Sequence, residues 1–293
     1  MITLREAIKE AEKKGVAIGH FIISTIDKIW AIFNSARSLN VPVIIGVSEK
    51  ERDFVGVQQA VHIIESIREE FNYPIFINAD HTHSFERVKE AIDAGYDSVI
   101  FDGVKLPLEE NIKITKQCVD YAREVAEKEE KETLVEGELG YIGSSSKVLD
   151  AIPEGASIGL DQLTTVEDAV RFVSETNVDL FSPAIGSVHG MMRSGFDPDI
   201  NIERLSEIQN AQNVHLVLHG GSGLKDDNFT KGTGAGLLIV HISTELRVAW
   251  KNALIESLKN NPDEVAPYKL LENSRKAVEE VVTKKLKLFN GIN

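Results

Sequence analysis

The chain alternates short apolar runs with longer amphipathic segments. Eight runs, rich in β-branched residues, predict strands at 16–21, 41–48, 74–80, 97–103, 133–139, 179–186, 214–220 and 236–243. Segments with helical spacing lie between them, for example 27–40, 84–95, 108–131, 165–177 and 202–212. Continuous apolar strands separated by helices are typical of a parallel sheet covered on both faces. Eight such units predict a (β/α)8 barrel, with an open doubly wound sheet as the alternative.

Local signals support these boundaries. Ser84 and Thr165 stand at helix N-cap positions, and Asp168 follows Thr165 by three residues, close to a capping box. Residues 140–164 form a Gly/Ser-rich connection after the fifth strand, and long loops of this kind tend to be functional lids. An N-terminal amphipathic segment and the tail 266–289 predict extra helices at both ends. We expect one domain over 1–293.

Composition narrows the function classes. The 293 residues are 42% hydrophobic and 27% charged, with a net charge of −14. An acidic surface disfavours binding to nucleic acid and to anionic membranes, which both need clustered Lys and Arg. No signal-peptide or membrane-spanning pattern is present, so we expect a cytoplasmic protein. The single cysteine, Cys118, excludes an intrachain disulfide, and its helical position predicts a packing role.

Histidines collect where a barrel enzyme places its active site, at the C-terminal ends of the strands. Six of the eight lie there: His20, His81, His83, His189, His219 and His241. Three histidines from three strands suffice for a catalytic zinc with one open position. The candidate ligands are His81, His189 and His219, with His83 and His241 as alternatives. Any one of these residues could instead be an ordinary hydrogen-bonded histidine.

Acidic residues share this rim. Asp80 precedes His81, and Asp102 ends the fourth strand. Glu136 and Glu138 alternate on the fifth strand and therefore point to one face. A carboxylate inside a barrel strand is costly unless it is paired or bound to metal, which favours a functional role for Glu138. Asp102 could also be a turn residue, and the two glutamates could simply structure the barrel mouth.

A short glycine-rich segment suggests an anion site. HGGSG (219–223) follows the seventh strand, where backbone N–H groups can cradle a phosphate. Barrels often bind phosphate after strands seven and eight. Ser243 and Thr244 add hydroxyl groups at a helix start after the eighth strand.

Together, these residues resemble the class II (zinc-dependent) ketose-bisphosphate aldolases, the group of fructose- and tagatose-bisphosphate aldolases. The resemblance covers nearly the whole chain. Its anchors are NADH (78–81), SVIFDG (98–103), LEENIKITKQCVDYA (108–122), VEGELG (135–140), AIGSVHG (184–190), LVLHGGSG (216–223), STELR (243–247) and NPDEVAPYKLLENSRKAV (261–278).

The resemblance implies a role for each matching residue. His81, His189 and His219 would bind zinc, and Asp80 would carry the proton of the C4 hydroxyl. Asp102 and Glu138 would lie near a second or resting metal position. The phosphate of dihydroxyacetone phosphate would be held by Gly190, Gly220, Ser222, Ser243 and Thr244. Ser48 would lie near the aldehyde side, and Arg275 would reach the distal phosphate from a neighbouring subunit.

The resemblance also implies a reaction. Zinc would polarise the ketone and stabilise an enediolate during reversible cleavage of fructose 1,6-bisphosphate to dihydroxyacetone phosphate and glyceraldehyde 3-phosphate. This is a reaction of glycolysis and gluconeogenesis. A monovalent cation such as Na⁺ or K⁺ near the phosphate, and a homodimer or homotetramer, are further expectations.

The chain departs from the family pattern at substrate-facing positions. The loop after the fifth strand lacks the usual acidic stretch, and Asp150 and Glu154 are its only nearby carboxylates for the carbon base. His241 stands where an asparagine is usual, and HFIIST (20–25) replaces an asparagine-containing motif. Alternatives therefore stay open: tagatose 1,6-bisphosphate or another ketose phosphate as substrate, a metal-dependent barrel hydrolase, or a binding protein without catalysis.

Overall fold

The computed structural model describes residues 2–129, 131–144, 146–195 and 197–292. Its strands are β1 Ile18–Ile22, β2 Val43–Ser48, β3 Ile75–Thr82, β4 Ser98–Phe101, β5 Leu134–Leu139, β6 Val148–Leu149, β7 Leu180–Pro183, β8 Met191–Met192, β9 His215–Leu218 and β10 Leu237–Ile242. Its helices are α1 Leu4–Lys14, α2 Ile26–Leu39, α3 Glu49–Val55, α4 Val57–Phe71, α5 Phe85–Ala94, α6 Leu108–Glu129, α7 Val166–Thr176, α8 Ile202–Ala211, α9 Asp226–Gly234, α10 Thr244–Asn260, α11 Pro267–Leu270 and α12 Glu272–Phe289.

Eight parallel strands close into a barrel in the order β1-β10-β9-β7-β5-β4-β3-β2. The predicted (β/α)8 barrel is confirmed, and each barrel strand falls within or next to one of the eight predicted apolar runs. The predicted caps at Ser84 and Thr165 are present, since each side chain accepts a hydrogen bond from a backbone N–H of the first helical turn. Among the described residues, no helix is long and apolar enough to cross a membrane.

The barrel interior changes from apolar to polar along the strands. The bottom layer contains Ile18, Ile44, Phe76, Leu134, Leu180, Val217 and Ile239, which pack with the apolar face of α1. Two residues further along, the inward positions hold His20, Asn78, Glu136, Ser182, His219 and His241, all buried. Side chains in a strand alternate between its two faces. Every second residue therefore points into the barrel, and these residues form first the apolar bottom layer and then the polar layer. Helix α1 closes the lower end, so the polar layer opens only at the top.

Two features of the fold were not predicted. Strands β6 and β8 form a small parallel sheet that ties the loop 140–164 to the segment after β7. Ser145, within that loop, lies outside the described residues. The predicted C-terminal helix 266–289 is divided into α11 and α12, and α12 packs beside α2 and α10.

Cys118 is buried in α6, where burial raises the pKa of its thiol to about 12.

A buried arginine holds the upper end of β3 in place. The guanidinium of Arg52 donates to the carbonyl oxygens of Val47 (2.8 Å) and Asp80 (3.1 Å) and to the hydroxyl of Thr82 (2.8 Å). Between these last two residues, His81 adopts a left-handed φ of 36°. Such a conformation is unfavourable for a residue with a side chain and persists only where its surroundings enforce it. Arg52 therefore fixes the backbone that presents Asp80 and His81.

We expect Arg52→Lys to lower the free energy of unfolding by about 2–4 kcal/mol, because one ammonium group cannot serve the acceptors on both strands. Urea denaturation followed by circular dichroism measures this loss. Arg171→Lys is the matched control, because Arg171 makes only exposed ion pairs. Equal stability of the two variants would contradict the role assigned to Arg52.

Candidate active site

A cavity of about 730 Å³ opens at the C-terminal ends of the barrel strands. Twelve of the predicted site residues line it: Ser48, Asp80, His81, Asp102, His189, Gly190, His219, Gly220, Ser222, His241, Ser243 and Thr244. Glu138 lies just below, with Oε2 3.5 Å from Nδ1 of His81. The topology therefore brings together residues from β2, β3, β5 and β10 and from the loops after β4, β7 and β9.

Three histidine rings are each tied through one nitrogen. Nδ1 of His81 lies 2.9 Å from Oδ2 of Asp102, and Nδ1 of His189 lies 2.8 Å from the carbonyl oxygen of Gly143. Nε2 of His219 lies 2.8 Å from Oε1 of Glu136. Each tied nitrogen donates its hydrogen to an oxygen. The second nitrogen of each ring is then available to a metal ion, as in carboxylate–histidine–metal arrangements.

The available nitrogens lie close together. Nε2 of His81 is 3.2 Å from Nδ1 of His219, and ligand atoms of all three rings lie within 4.8 Å of one another. Two nitrogens bound to one tetrahedral zinc are about 3.4 Å apart. The three residues therefore fit a metal ion with one position left for substrate. His83, which faces Asp102 and is largely exposed, is less suited to be a ligand.

The carboxylates around His81 determine the electrostatics of the site. Burial by itself would lower the pKa of His81, but Asp80, Asp102 and Glu138 outweigh it and raise that pKa well above its usual range. Burial lowers the pKa of His189 to about 4, and the positive charge of the neighbouring His81 contributes to this shift. Burial and nearby carboxylates raise the pKa of Glu138 well above its ordinary value. A divalent cation would relieve this excess of buried negative charge.

Asp80 has one oxygen that remains unpaired. Its Oδ1 is buried and accepts no hydrogen bond from the described residues, although Nδ1 of His241 is 3.3 Å away. Burial opposes ionisation, but the nearby His81 and His241 hold the pKa of Asp80 well below its usual range. The carboxylate is thus ionised, 3% exposed, and able to take a proton from a group in the cavity.

The predicted phosphate cradle is built mainly from backbone. Gly190 and Gly220 have φ values of 117° and 68°, which favour glycine, and a Cβ on Gly220 would collide with the backbone of Val188. The hydroxyl oxygen of Ser222 accepts from the backbone N–H of Ser243 (3.1 Å), so its own hydrogen is directed elsewhere. Oγ of Ser243 is buried and has no partner among the described residues. These groups supply hydrogen-bond donors for an anion.

Three predicted residues lie outside the cavity wall. Asp150 is exposed and forms an ion pair with Arg193, with Nε 2.6 Å from Oδ1. Glu154 is exposed on the same loop. Arg275 lies on α12 and contacts Glu279 at 3.7 Å, on the outer surface of this chain. Their predicted roles require loop movement for the first two and a neighbouring subunit for the third, and they stay predictions.

Several residues at the site have no role among the predictions from sequence. Arg247 lines the cavity and donates to Glu51 (2.8 Å), which also accepts from the hydroxyl of Ser48 (2.6 Å). Its spacing of three residues from Thr244 on a helix was a usable signal. Lys50 and Lys105 also line the cavity. The contact between Glu136 and His219 joins residues 83 apart, and no local pattern reveals such a pair.

The comparison with protein families decides the assignment. The model of the family described as "Fructose-bisphosphate aldolase class-II" matches residues 2–293. The chain belongs to the class II fructose-bisphosphate aldolase family. This aldolase is a lyase, and members of its family generally depend on a metal ion.

Individual relatives agree on the family but differ in substrate. A protein of Staphylococcus epidermidis named fructose-bisphosphate aldolase is 32% identical over all of this chain and 98% of its own length. A 6-phospho-5-dehydro-2-deoxy-D-gluconate aldolase of Shouchella clausii is 34% identical over 100% of this chain and 95% of its own. The crystal structure of the YdjI aldolase from Escherichia coli K12 has a TM-score of 0.80 and 28% identity, covering 99% and 97% of the two chains.

We expect Glu136→Leu to weaken binding of a divalent metal ion by about 10- to 100-fold, because His219 loses the acceptor that fixes its tautomer. Competition with a chromophoric chelator measures the affinity. Glu175→Leu, which changes a glutamate on the surface of α7, is the control and keeps the parent affinity. Unchanged metal affinity in Glu136→Leu would refute the role of this contact.

Proposed function

We propose that this aldolase catalyses the zinc-dependent, reversible cleavage of a ketose 1,6-bisphosphate, with fructose 1,6-bisphosphate as the main substrate. The products are dihydroxyacetone phosphate and glyceraldehyde 3-phosphate. One observation carries the proposal: three histidines, each tied through one nitrogen, converge beside the unpaired carboxylate oxygen of Asp80. A metal-activated ketone and a carboxylate that takes the proton of the β-hydroxyl group are what aldol cleavage requires.

The residues fit zinc as the ion, since three neutral imidazoles with an open fourth position are typical of catalytic zinc. His81, His189 and His219 would hold it. When bound, zinc would supply Lewis-acid polarisation of the ketone. Asp102 and Glu138 would offer oxygen ligands at the neighbouring position, since each lies within reach of the ring of His81. A Na⁺ or K⁺ ion would accompany the phosphate near the glycine-rich loop.

The side chains and backbone of the site would bind the phosphate and transfer the protons. Gly190, Gly220, Ser222, Ser243 and Thr244 would hold the C1 phosphate. Oδ1 of Asp80 would accept the proton of the C4 hydroxyl as the C3–C4 bond breaks and the aldehyde leaves. The bonding electrons stay on C3 of the three-carbon fragment. That carbon then takes a proton from a carboxylate of the loop 140–164, for which Asp150 and Glu154 are the available groups.

The distal half of the substrate would lie toward Ser48. In the assembled enzyme, which we propose is a homodimer or homotetramer, Arg275 of a neighbouring subunit would contact the distal phosphate. A different ketose phosphate is the second candidate. It is favoured by the presence of His241 in the cavity wall and by the relative named 6-phospho-5-dehydro-2-deoxy-D-gluconate aldolase.

The test is cleavage of fructose 1,6-bisphosphate by the zinc-loaded protein, with the released triose phosphate coupled to NADH oxidation. We expect EDTA to abolish cleavage and zinc to restore it. Asp80→Asn should lower kcat by about 10²- to 10⁴-fold while zinc stays bound, because the proton acceptor is lost. Asp120→Asn, which alters an exposed ion pair on α6, should match the parent. Bound zinc without cleavage of any ketose phosphate would overturn the proposal.

We expect His241→Asn to change the order of preference among fructose 1,6-bisphosphate, tagatose 1,6-bisphosphate and ketose monophosphates. The imidazole lines the cavity beside Asp80, where an amide would present different hydrogen-bonding groups. The ratio of kcat/KM values across this panel is the measurement, with the exposed His62→Asn as control. An identical order of preference would show that His241 does not tune specificity.

A further inference from the structure

We propose that His20 is a positioning residue, which fixes the ring of His241 and through it the environment of Asp80. The proposal rests on the aldolase function proposed above and concerns a residue that does not line the cavity. His20 is 1% exposed, and its ring stacks on that of His241 with centroids 3.4 Å apart and planes 10° from parallel.

The orientation of His20 is set by Asn78, which lies in the same layer of the barrel interior. The amide of Asn78 donates from Nδ2 to Oγ of Ser98 (2.8 Å), so its Oδ1 must face His20. Nε2 of His20 lies 3.0 Å from that oxygen and therefore carries the hydrogen. Burial and the adjacent His241 lower the pKa of His20 to about 3, which keeps the ring neutral. The ring can then stack on its neighbour without charge repulsion.

The backbone leaves space for this ring. Gly46 faces it from β2, and a Cβ at that position would overlap both Cε1 and Nε2 of His20. The ring of His20 therefore occupies the volume that any side chain larger than glycine at position 46 would fill. The stack has a dedicated slot between β1, β2 and β10 and does not arise from loose surface packing.

The stack fixes the plane of the His241 ring and thereby which of its nitrogens faces Asp80. Its ring is held between His20 on one side and His219, with a centroid 4.0 Å away, on the other. In this plane Nδ1 faces Oδ1 of Asp80 at 3.3 Å. The charge of this carboxylate favours the tautomer with hydrogen on Nδ1, although the alignment falls short of a hydrogen bond. Nε2 is then an acceptor, suited to a substrate hydroxyl and not to a phosphate oxygen.

A second metal site is a poorer explanation of the same residues. His20, Asp80 and His241 have ligand atoms within 4.8 Å of one another. A histidine lone pair, however, lies in the plane of its ring. Two rings stacked 3.4 Å apart and nearly parallel cannot both direct a lone pair at one ion. The arrangement fits mutual support of two rings.

A double-mutant cycle tests the proposal. We expect His20→Ala to lower kcat on the best ketose phosphate by about 3- to 10-fold, the range of an aromatic pair, with KM for that substrate and zinc affinity unchanged. In the His241→Asn background the same substitution should change kcat by less than about twofold, because the residue through which it acts is absent. Equal losses in both backgrounds would overturn the proposal.

Two further variants exclude a general folding defect. His20→Gln keeps a donor at the position of Nε2 and a flat group against His241, and it should recover most of the lost kcat. Gly46→Ala leaves both histidines in the sequence but displaces His20, and it should reproduce the loss of His20→Ala. Failure of His20→Gln to recover activity, with unfolding midpoints equal to that of the parent, would count against the stack.

A readout independent of catalysis separates this inference from the proposed function. The ¹⁵N shifts of the His241 ring in the zinc-loaded protein, assigned by comparison with His241→Asn, report its tautomer. We expect hydrogen on Nδ1 in the parent and a mixture of tautomers in His20→Ala. Unchanged shifts in His20→Ala would overturn the positioning role, whether or not the parent cleaves any ketose phosphate. Absence of cleavage together with the expected shifts would overturn only the proposed function.

Discussion

The site depends on one constraint: a polar group enclosed by the barrel is costly unless another group pairs with it. Among the described residues, α1 and an apolar layer fill the bottom of the barrel, and the polar layer lies beneath the cavity at the top. An unpaired buried polar group costs about 1–3 kcal/mol. The histidines therefore each give one nitrogen to a fixed oxygen: Asp102, Glu136 and the carbonyl oxygen of Gly143. Pairing for stability and presentation of the second nitrogen to a metal are two results of the same hydrogen bonds.

Much of the site could be predicted from the sequence, because successive side chains of a strand point to opposite faces of the sheet. In β5, Leu134, Glu136 and Glu138 share a face, and the apolar first member identifies that face as the interior. The same alternation relates Val217 to His219 and Ile239 to His241. Closure of the barrel then brings the strand ends together, so strand-end residues far apart in the chain could be assigned to one cavity before any contact was known.

The remainder depends on contacts that no local pattern encodes. The hydrogen bond from His219 to Glu136 and the stack of His20 on His241 join different strands, and the choice of ring nitrogen follows from those contacts. Arg52 looks like an ordinary helix residue in the sequence, yet it is buried and holds the left-handed turn at His81. Such features could be found only once the register of β2, β3 and β10 was fixed.

The small sheet of β6 and β8 limits which carboxylate of the loop 140–164 could exchange a proton with the substrate carbon. Its strands join the loop 140–164 to the segment after Gly190, through hydrogen bonds from Met191 N to the carbonyl of Lys147 (3.0 Å) and from Arg193 N to that of Leu149 (2.8 Å). The segment that begins with Gly190, part of the proposed phosphate site, is thus tied to the loop. Asp150 is held by Arg193, whose hydrogen bond and charge lower the pKa of that carboxyl and weaken it as a base. Asp150 would have to leave this partner to reach the substrate, whereas Glu154, further along the same loop, makes no ion pair with the described residues. Of the two carboxylates that we propose for proton exchange with carbon, Glu154 is therefore the one favoured by a closing movement that keeps the small sheet intact.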